Sequence, residues 1–422
     1  MARVAFVGAT VLDGIGPRRE GETVVVEDDR IAAVGREVPI DGCLVVESGG
    51  MTLMPGIVDA HVHFAPWAQW LVSLSDDRLM RLASETVHAM ALAVEAGVTT
   101  ACDLGGLEAG FVEAQSNGLI VAPRLQTSVV IIQPVNGLLD GIPGRGGTTS
   151  RLGHTITVPG MPSPYASGPW AAREKVREVV RAGAGVVKLT TAGQRIRGEM
   201  HWEQPSFHDE EIAAIIDEAH RFGLRATAHA RGAAGIAAAV RAGIDGIEHG
   251  GPCSDEVLEE MAARGVWMVP TLWITKHHAT TNPRKEDREN AVRRGEATAD
   301  ALRRAHAIGV PIALGSDGGY HEPSAGLIEM ALMAEAGIPA LDVVRAATSR
   351  AAEWLGLPEV GTVAPGKKAD LLLVDGDPLV DLGVLQRATA LVLQAGSVVG
   401  GLMRHEISTR LALQAAKEGS PQ

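Results

Sequence analysis

The stretch MPGIVDAHVHF, residues 54–64, decides how this 422-residue chain folds. An apolar segment interrupted only by Asp59 ends in two histidines, His61 and His63, two positions apart. On a strand, side chains at that spacing project from one face, so both imidazoles reach a single ion. A strand histidine also serves structural roles, and the pair alone does not separate the two uses. The surrounding chain does.

Downstream of Gly56, short apolar strands alternate with amphipathic helices, as in GVTTACDL (97–104), AAREKVREVVRAGAGVVKLT (171–190), DEEIAAIIDEAHRFGLRATAHA (209–230) and GIAAAVRAGIDGIEHG (235–250). Strand alternating with helix predicts a parallel sheet. Several helices end in AG or FG just before the next strand, where glycine suits a left-handed cap. The pattern predicts an α/β fold, a (β/α)₈ TIM barrel over residues 55–360, with His61 and His63 at the C-terminal end of its first strand, the end at which barrel enzymes carry their active sites. Upstream, VAFVGATVLDG, ETVVVEDDRIAAVG and CLVVESGGMTLMPG have strand texture, and GTVAPGKKADLLLVDGDPL and ALVLQAGSVVGG return to it near the other end. These predict a small composite β-sandwich from residues 1–54 and 361–410, followed by a tail over 411–422. Residues 132–170 and 274–296 read as unusually long connections of the lid or specificity-loop kind.

Composition narrows the function. Hydrophobic residues make up 46% and charged residues 21%, enough for a large core. The net charge of -13 comes without a basic block, which removes electrostatic support for nucleic acid or an anionic membrane and leaves a small-molecule substrate. Cys43, Cys102 and Cys253 are far apart and show no CxxC spacing, so no disulfide framework or thiolate zinc knuckle is expected. No apolar run reaches the roughly 18 residues of a membrane span, and the first residues lack a signal-peptide core, so a cytoplasmic location is the expectation.

Four later strand ends also carry chemistry-bearing side chains: Lys188 in GVVKLTTAG, His229 in RATAHARG, His249 in DGIEHGG and Asp317 in IALGSDGG. Singly, each has a plain alternative as a surface lysine, a satisfied core histidine or an N-cap. Together they occupy one strand end after another where valine or isoleucine is the rule.

With these residues in place, the chain resembles the amidohydrolase superfamily, in its binuclear-metal subtype, and within it the imidazolonepropionase-like or Xaa-Pro dipeptidase-like hydrolases. The resemblance rests on MPGIVDAHVHF, AGAGVVKLTTAG, DEAHRFGLRATAHARG, AGIDGIEHGG, RGVWMVPTLW, GVPIALGSDGG, AATSRAAEWLGL and VGTVAPGKKADLLLVDGDPL, in order along most of the chain. It implies two divalent ions, zinc by default with manganese or cobalt as substitutes. His61, His63 and Asp317 would hold the more buried ion, and His229 and His249 the second. Lys188 would bridge both as an N6-carboxylated lysine, since a free ammonium repels cations. This lysine separates the chain from true imidazolonepropionases, which resemble the mononuclear branch. The implied nucleophile is a metal-bridging hydroxide, with Asp317 as general base and then acid.

The resemblance places His154, in SRLGHT, near a loop that polarises the substrate carbonyl, although an exposed loop histidine reads equally well. Arg231 stands where related dipeptidases carry tyrosine or histidine, and reads either as a bidentate partner for a substrate carboxylate or as half of a structural ion pair. Trp273 and Tyr320, with His201, Trp202, His277, His278 and His321, lie just past strand ends or in the long connections and are candidates for the substrate wall. The expected activity is hydrolysis of an amide bond in a dipeptide, an N-acyl amino acid or a similar xenobiotic amide. The alternatives are a cyclic amide, carbamate, urea or lactone, and a non-catalytic barrel, which predicts lost ligands although every ligand type is present. Related proteins are commonly homo-oligomers, so the resemblance also implies self-association.

Overall fold

A computed structural model of the chain describes residues 3–65, 79–138, 160–196, 199–387 and 389–418. The chain forms two compact units, one of Met1–Asp59, Ala91–Thr100 and Pro323–Gln422, the other of Ala60–Met90 and Ala101–Glu322.

In the first unit, eight strands from both ends of the chain share one sheet. Its order runs Ser397–Gly400, Thr389–Gln394, Leu371–Val374, Thr52–Pro55, Arg3–Val11, Arg19–Glu27, Arg30–Gly35, with Leu44–Glu47 paired to Arg3–Val11. The distant segments join directly: Leu371–Val374 runs antiparallel to Thr52–Pro55, with Leu371 opposite Pro55 and Val374 opposite Thr52. Alternation drives this pairing. Val4, Phe6, Val24, Val26, Leu371, Leu373, Leu391 and Leu393 send their side chains into one core, while their neighbours face outward or toward other cover.

The second unit is built on parallel strands. One ladder runs Trp267–Val269, Gly246–His249, Ala226–Ala230, Val187–Thr190, Ile131–Ile132, and each of these pairings is parallel. Strands covered on both faces are mostly apolar; Val187–Thr190 and Gly246–His249 are buried at every position and yet carry Lys188, Glu248 and His249. A second ladder runs Gly318–Gly319, Ile57–His63, Val98–Asp103, Arg124–Thr127, and the histidine-bearing end of Ile57–His63 belongs to this unit.

Single hydrogen bonds tie these ladders together. On one side, the Ala313 amide donates to Met268 O at 3.1 Å, and the Ala60 amide to Leu314 O at 2.9 Å. On the other, the Gly185 amide donates to Thr127 O at 2.9 Å. Helices return the chain between strands, and Gly265 and Gly309 end two of them in the left-handed region, at φ 69° and 95°.

The segment 274–296, expected as a long loop, is instead two helices, Leu272–Thr281 and Lys285–Ile308, meeting at Pro283. The second carries acidic residues in its first turn and a Lys285–Glu289 pair one turn apart, so local electrostatics favour helix where hydrophobic periodicity is weak. The long connection 132–170 is described only in part: residues 139–159, His154 among them, lie outside the described residues.

Candidate metal centre

The strand Ile57–His63 is buried along its whole length and delivers two imidazoles to one place. His61 Nε2 lies 3.5 Å and His63 Nε2 3.3 Å from Asp317 Oδ1. Each ring is also tied on its other nitrogen: His61 Nδ1 meets Glu248 Oε2 at 2.6 Å, and His63 Nδ1 meets the Gly105 carbonyl at 2.8 Å. Both of those partners accept, so each Nδ1 carries a proton and each Nε2 is the atom left to face the centre. Both Nε2 atoms therefore face one carboxylate oxygen, an arrangement balanced without metal by protonated imidazole and with metal by an ion held among the three side chains. His61, His63 and Asp317 offer one ligand atom each within 4.8 Å of one another.

The electrostatics agree. Burial alone would raise the Asp317 carboxyl, but the charges of His61, His63 and Arg231 hold it well below the usual carboxylate range. Burial pulls His63 down, yet its bond to Asp317 outweighs this and its pKa rises, whereas burial and the Lys188 charge take His61 down.

Beside this trio stand the other two histidines. His229 Nδ1 and His249 Nε2 face each other at 2.7 Å, and the His61 and His249 rings lie 5.4 Å apart. His249 Nδ1 contacts Thr271 Oγ1 at 2.6 Å and Arg231 at 3.1 Å, while His229 Nε2 is buried with no hydrogen-bond partner among the described residues. Burial, and then the Arg231 charge, push both rings well below the ordinary histidine pKa, so both are neutral donors of the kind a cation takes.

Lys188 is 1% exposed, and its Nζ also lacks a hydrogen-bond partner among the described residues. Burial lowers its pKa to about 8, against the pull of Glu248 and Asp317. An unpaired buried ammonium is costly, so this amine gives up its proton more readily than an exposed lysine. Lys188 Nζ and His229 Nε2, unpartnered among the described residues, together with the close ligand atoms of His61, His63 and Asp317, fit a site built for divalent cations.

The backbone is strained here as well. His249, Thr271 and Asp317 all have left-handed φ, at 73°, 53° and 58°, each at a cost of about 1–3 kcal/mol that the surrounding packing must hold. The Asp317 amide is anchored to the His61 carbonyl at 2.7 Å.

Sequence reasoning missed the residues behind the ligands. Glu248, fully buried, also accepts from Thr227 Oγ1 at 2.6 Å. Asp103 accepts from the amides of Phe64, Gly105 and Leu107 at 2.8, 3.0 and 3.3 Å, which fixes the carbonyl that His63 uses, and burial pushes its carboxyl up to about 6. The available signal was a carboxylate inside an otherwise apolar strand, as in GIEH and VTTACD.

Of the candidates for the substrate wall, Arg231 is brought beside His249, is 6% exposed, and leaves one guanidinium nitrogen unpartnered among the described residues. Trp273 stacks on His277 at 4.9 Å, His277 lies 5.2 Å from His321, and His321 lies 6.0 Å from Tyr320, whose hydroxyl donates to Glu85 at 3.2 Å.

The profile of the amidohydrolase family matches residues 52–404. The chain belongs to the amidohydrolase family. Ochratoxinase of Aspergillus niger is 28% identical over 414 residues, covering 92% of this chain and 85% of its own. A crystal structure of a Xaa-Pro dipeptidase with methionine bound in its active site superposes with a TM-score of 0.83 at 25% identity, covering 95% of this chain and all 100% of that one. A prolidase complexed with N-methylphosphonate-L-proline superposes at 0.81 with 26% identity, covering 95% and 100%. This amidohydrolase is a metal-dependent hydrolase of carbon–nitrogen bonds, acting on amides of small substrates. No helix among the described residues is long and apolar enough to cross a membrane.

Proposed function

We propose that this amidohydrolase cleaves the amide bond of a dipeptide, an N-acyl amino acid or a similar xenobiotic amide at a binuclear centre. His61, His63 and Asp317 would hold one divalent ion, His229 and His249 the other, with Lys188, carboxylated on Nζ, between them; zinc suits this donor set, with manganese or cobalt as substitutes. The observation that carries this reading is the convergence of the His61 and His63 Nε2 atoms on the Asp317 carboxylate. The hydrogen bonds from Met268 through Leu314 to Ala60, and from Gly185 to Thr127, support closure of the parallel strands into a (β/α)₈ barrel over 55–360. The sheet shared by both chain ends supports a composite β-sandwich of 1–54 and 361–410, with 411–422 as a tail.

Two bound ions would acidify a water near neutral pH and polarise the scissile carbonyl. The protein's own groups do the rest. Asp317, held ionised by its neighbours, accepts a proton during attack and returns it to the departing nitrogen. Glu248 and the Gly105 carbonyl hold the His61 and His63 rings in the tautomer that points Nε2 at the centre. Arg231 has a guanidinium nitrogen, unpartnered among the described residues, to offer a substrate carboxylate. Methionine and a proline phosphonate, bound by the two structural neighbours, are amino-acid ligands of this kind. Trp273 and Tyr320 line the substrate side, and His154 is retained as the candidate partner of the substrate carbonyl.

A panel of N-acyl amino acids, dipeptides, cyclic amides and ureas, offered to zinc-loaded protein, tests this. Turnover of the first two groups, lost in Asp317→Asn, is the expected result. Turnover confined to cyclic amides or ureas would overturn the substrate assignment.

A further inference from the structure

Asp103, the last residue of the strand Val98–Asp103, is fully buried, and its two carboxylate oxygens take three backbone amides. Oδ2 accepts from Phe64 at 2.8 Å, and Oδ1 from Gly105 at 3.0 Å and Leu107 at 3.3 Å. Phe64 directly follows His63, and the Gly105 carbonyl meets His63 Nδ1 at 2.8 Å. One carboxylate therefore holds both the chain just after this histidine and the turn that carries its ring's partner.

The same turn is gripped from a second strand end. The peptide between Gly105 and Gly106 presents its carbonyl to His63, and its N–H donates to the Val129 carbonyl at 2.9 Å. Val129, just past the strand Arg124–Thr127, is buried and has φ 63°, a conformation that a β-branched residue rarely takes. Its amide in turn donates to Thr127 Oγ1 at 2.9 Å. Gly105 has φ 139°, and a Cβ there would meet Ile131 Cγ1 at 2.5 Å, so glycine is what lets the peptide lie in this place.

A strained Val129 and a buried carboxylate at position 103 both cost stability, and a turn alone explains neither. A turn closed on residue 103 needs a single acceptor oxygen, which asparagine supplies without burying a charge. It is the Phe64 amide that calls on the second oxygen. What the two features share is the orientation of one carbonyl toward His63.

We propose that Asp103 is a positioning residue: with the Val129 carbonyl it fixes the Gly105–Gly106 peptide, and so keeps His63 Nδ1 donating to Gly105 and Nε2 facing Asp317. This rests on the metal site proposed above and deepens it, since a ring free to turn would present either nitrogen to an ion.

The test follows the His63 ring directly. In the metal-free full chain carrying 15N-histidine, His63 Nδ1–H gives a slowly exchanging proton signal, assigned by its absence from His63→Gln. Asp103→Asn sets an amide NH2 against the Phe64 N–H. The signal is expected to disappear, and zinc affinity, from chelator competition with bicarbonate present, to fall about 10- to 100-fold. Thr127→Val leaves Asp103 in place and removes the hydroxyl that accepts the Val129 amide; it weakens both readouts in the same direction, and it decides the matter if Asp103→Asn does not fold. Val176→Ala, on the buried face of the helix Pro169–Arg181, lowers stability and leaves both readouts as in the parent. A signal and a zinc affinity unchanged in Asp103→Asn, or in Thr127→Val where the first does not fold, would overturn the proposal. So would an equal loss of zinc in Val176→Ala, which would make the effect one of stability. A parent protein that binds no zinc would overturn the metal reading alone, because the Nδ1–H comparison is made without zinc.

Discussion

Glu248 Oε2 lies 2.6 Å from His61 Nδ1, so a carboxylate one residue before a candidate ligand of one ion orients a candidate ligand of the other. Replacing it by glutamine keeps the shape and removes the charge that fixes the His61 tautomer. Glu248→Gln is expected to lower zinc affinity about 10- to 100-fold, the usual cost of losing such a partner, with the fold intact by circular dichroism. Competition against a chelator measures this, and unchanged affinity contradicts the tautomer argument.

Lys188 makes a prediction about the metal-free protein in bicarbonate-free buffer. Its folded pKa of about 8 lies below the ordinary 10.5. Below pH 8 both folded and unfolded states hold the proton, and the folded state bears the full burial cost, about 3 kcal/mol. Between pH 8 and 10.5 the folded state gives up its proton first, so stability rises with pH; above 10.5 the cost is gone. Lys188→Met should therefore be more stable than the parent to urea at pH 7, with the gap closing as pH climbs through that window. A gap independent of pH contradicts the prediction.

How much of this was legible differs residue by residue. His61, His63, Lys188, His229, His249 and Asp317 stood out because each interrupts an apolar strand at its end. Glu248 and Asp103 interrupt strands too, but a lone carboxylate in a strand says nothing about its partner until the neighbouring strand is in register. The helices Leu272–Thr281 and Lys285–Ile308 were hidden by weak apolar periodicity and by Pro283, which reads as loop.

Gly315 tests the close packing around the centre. A Cβ there would meet Val269 Cγ1 at 2.3 Å and His61 Cβ at 2.7 Å. Gly315→Ala should cost about 1–3 kcal/mol as overpacking and also weaken zinc binding, since His61 is one of the two residues that must give way. A loss of stability with zinc affinity unchanged would separate the two effects and contradict that geometry.

Cys253 should be a slow thiol. Burial pushes it up to about 11 against the Arg304 charge, and the thiolate is the reactive form. Its alkylation by iodoacetamide, located by peptide mass spectrometry, is expected to be negligible at pH 8 and to accelerate tenfold per pH unit toward 11. Rapid labelling at pH 8 contradicts the buried placement.

The most direct test of the binuclear centre is metal content per chain, measured on protein prepared with zinc and bicarbonate. About two ions per chain are predicted, falling to about one or fewer in Lys188→Ala. One ion or none in the parent protein, or two that persist without Lys188, would contradict the account.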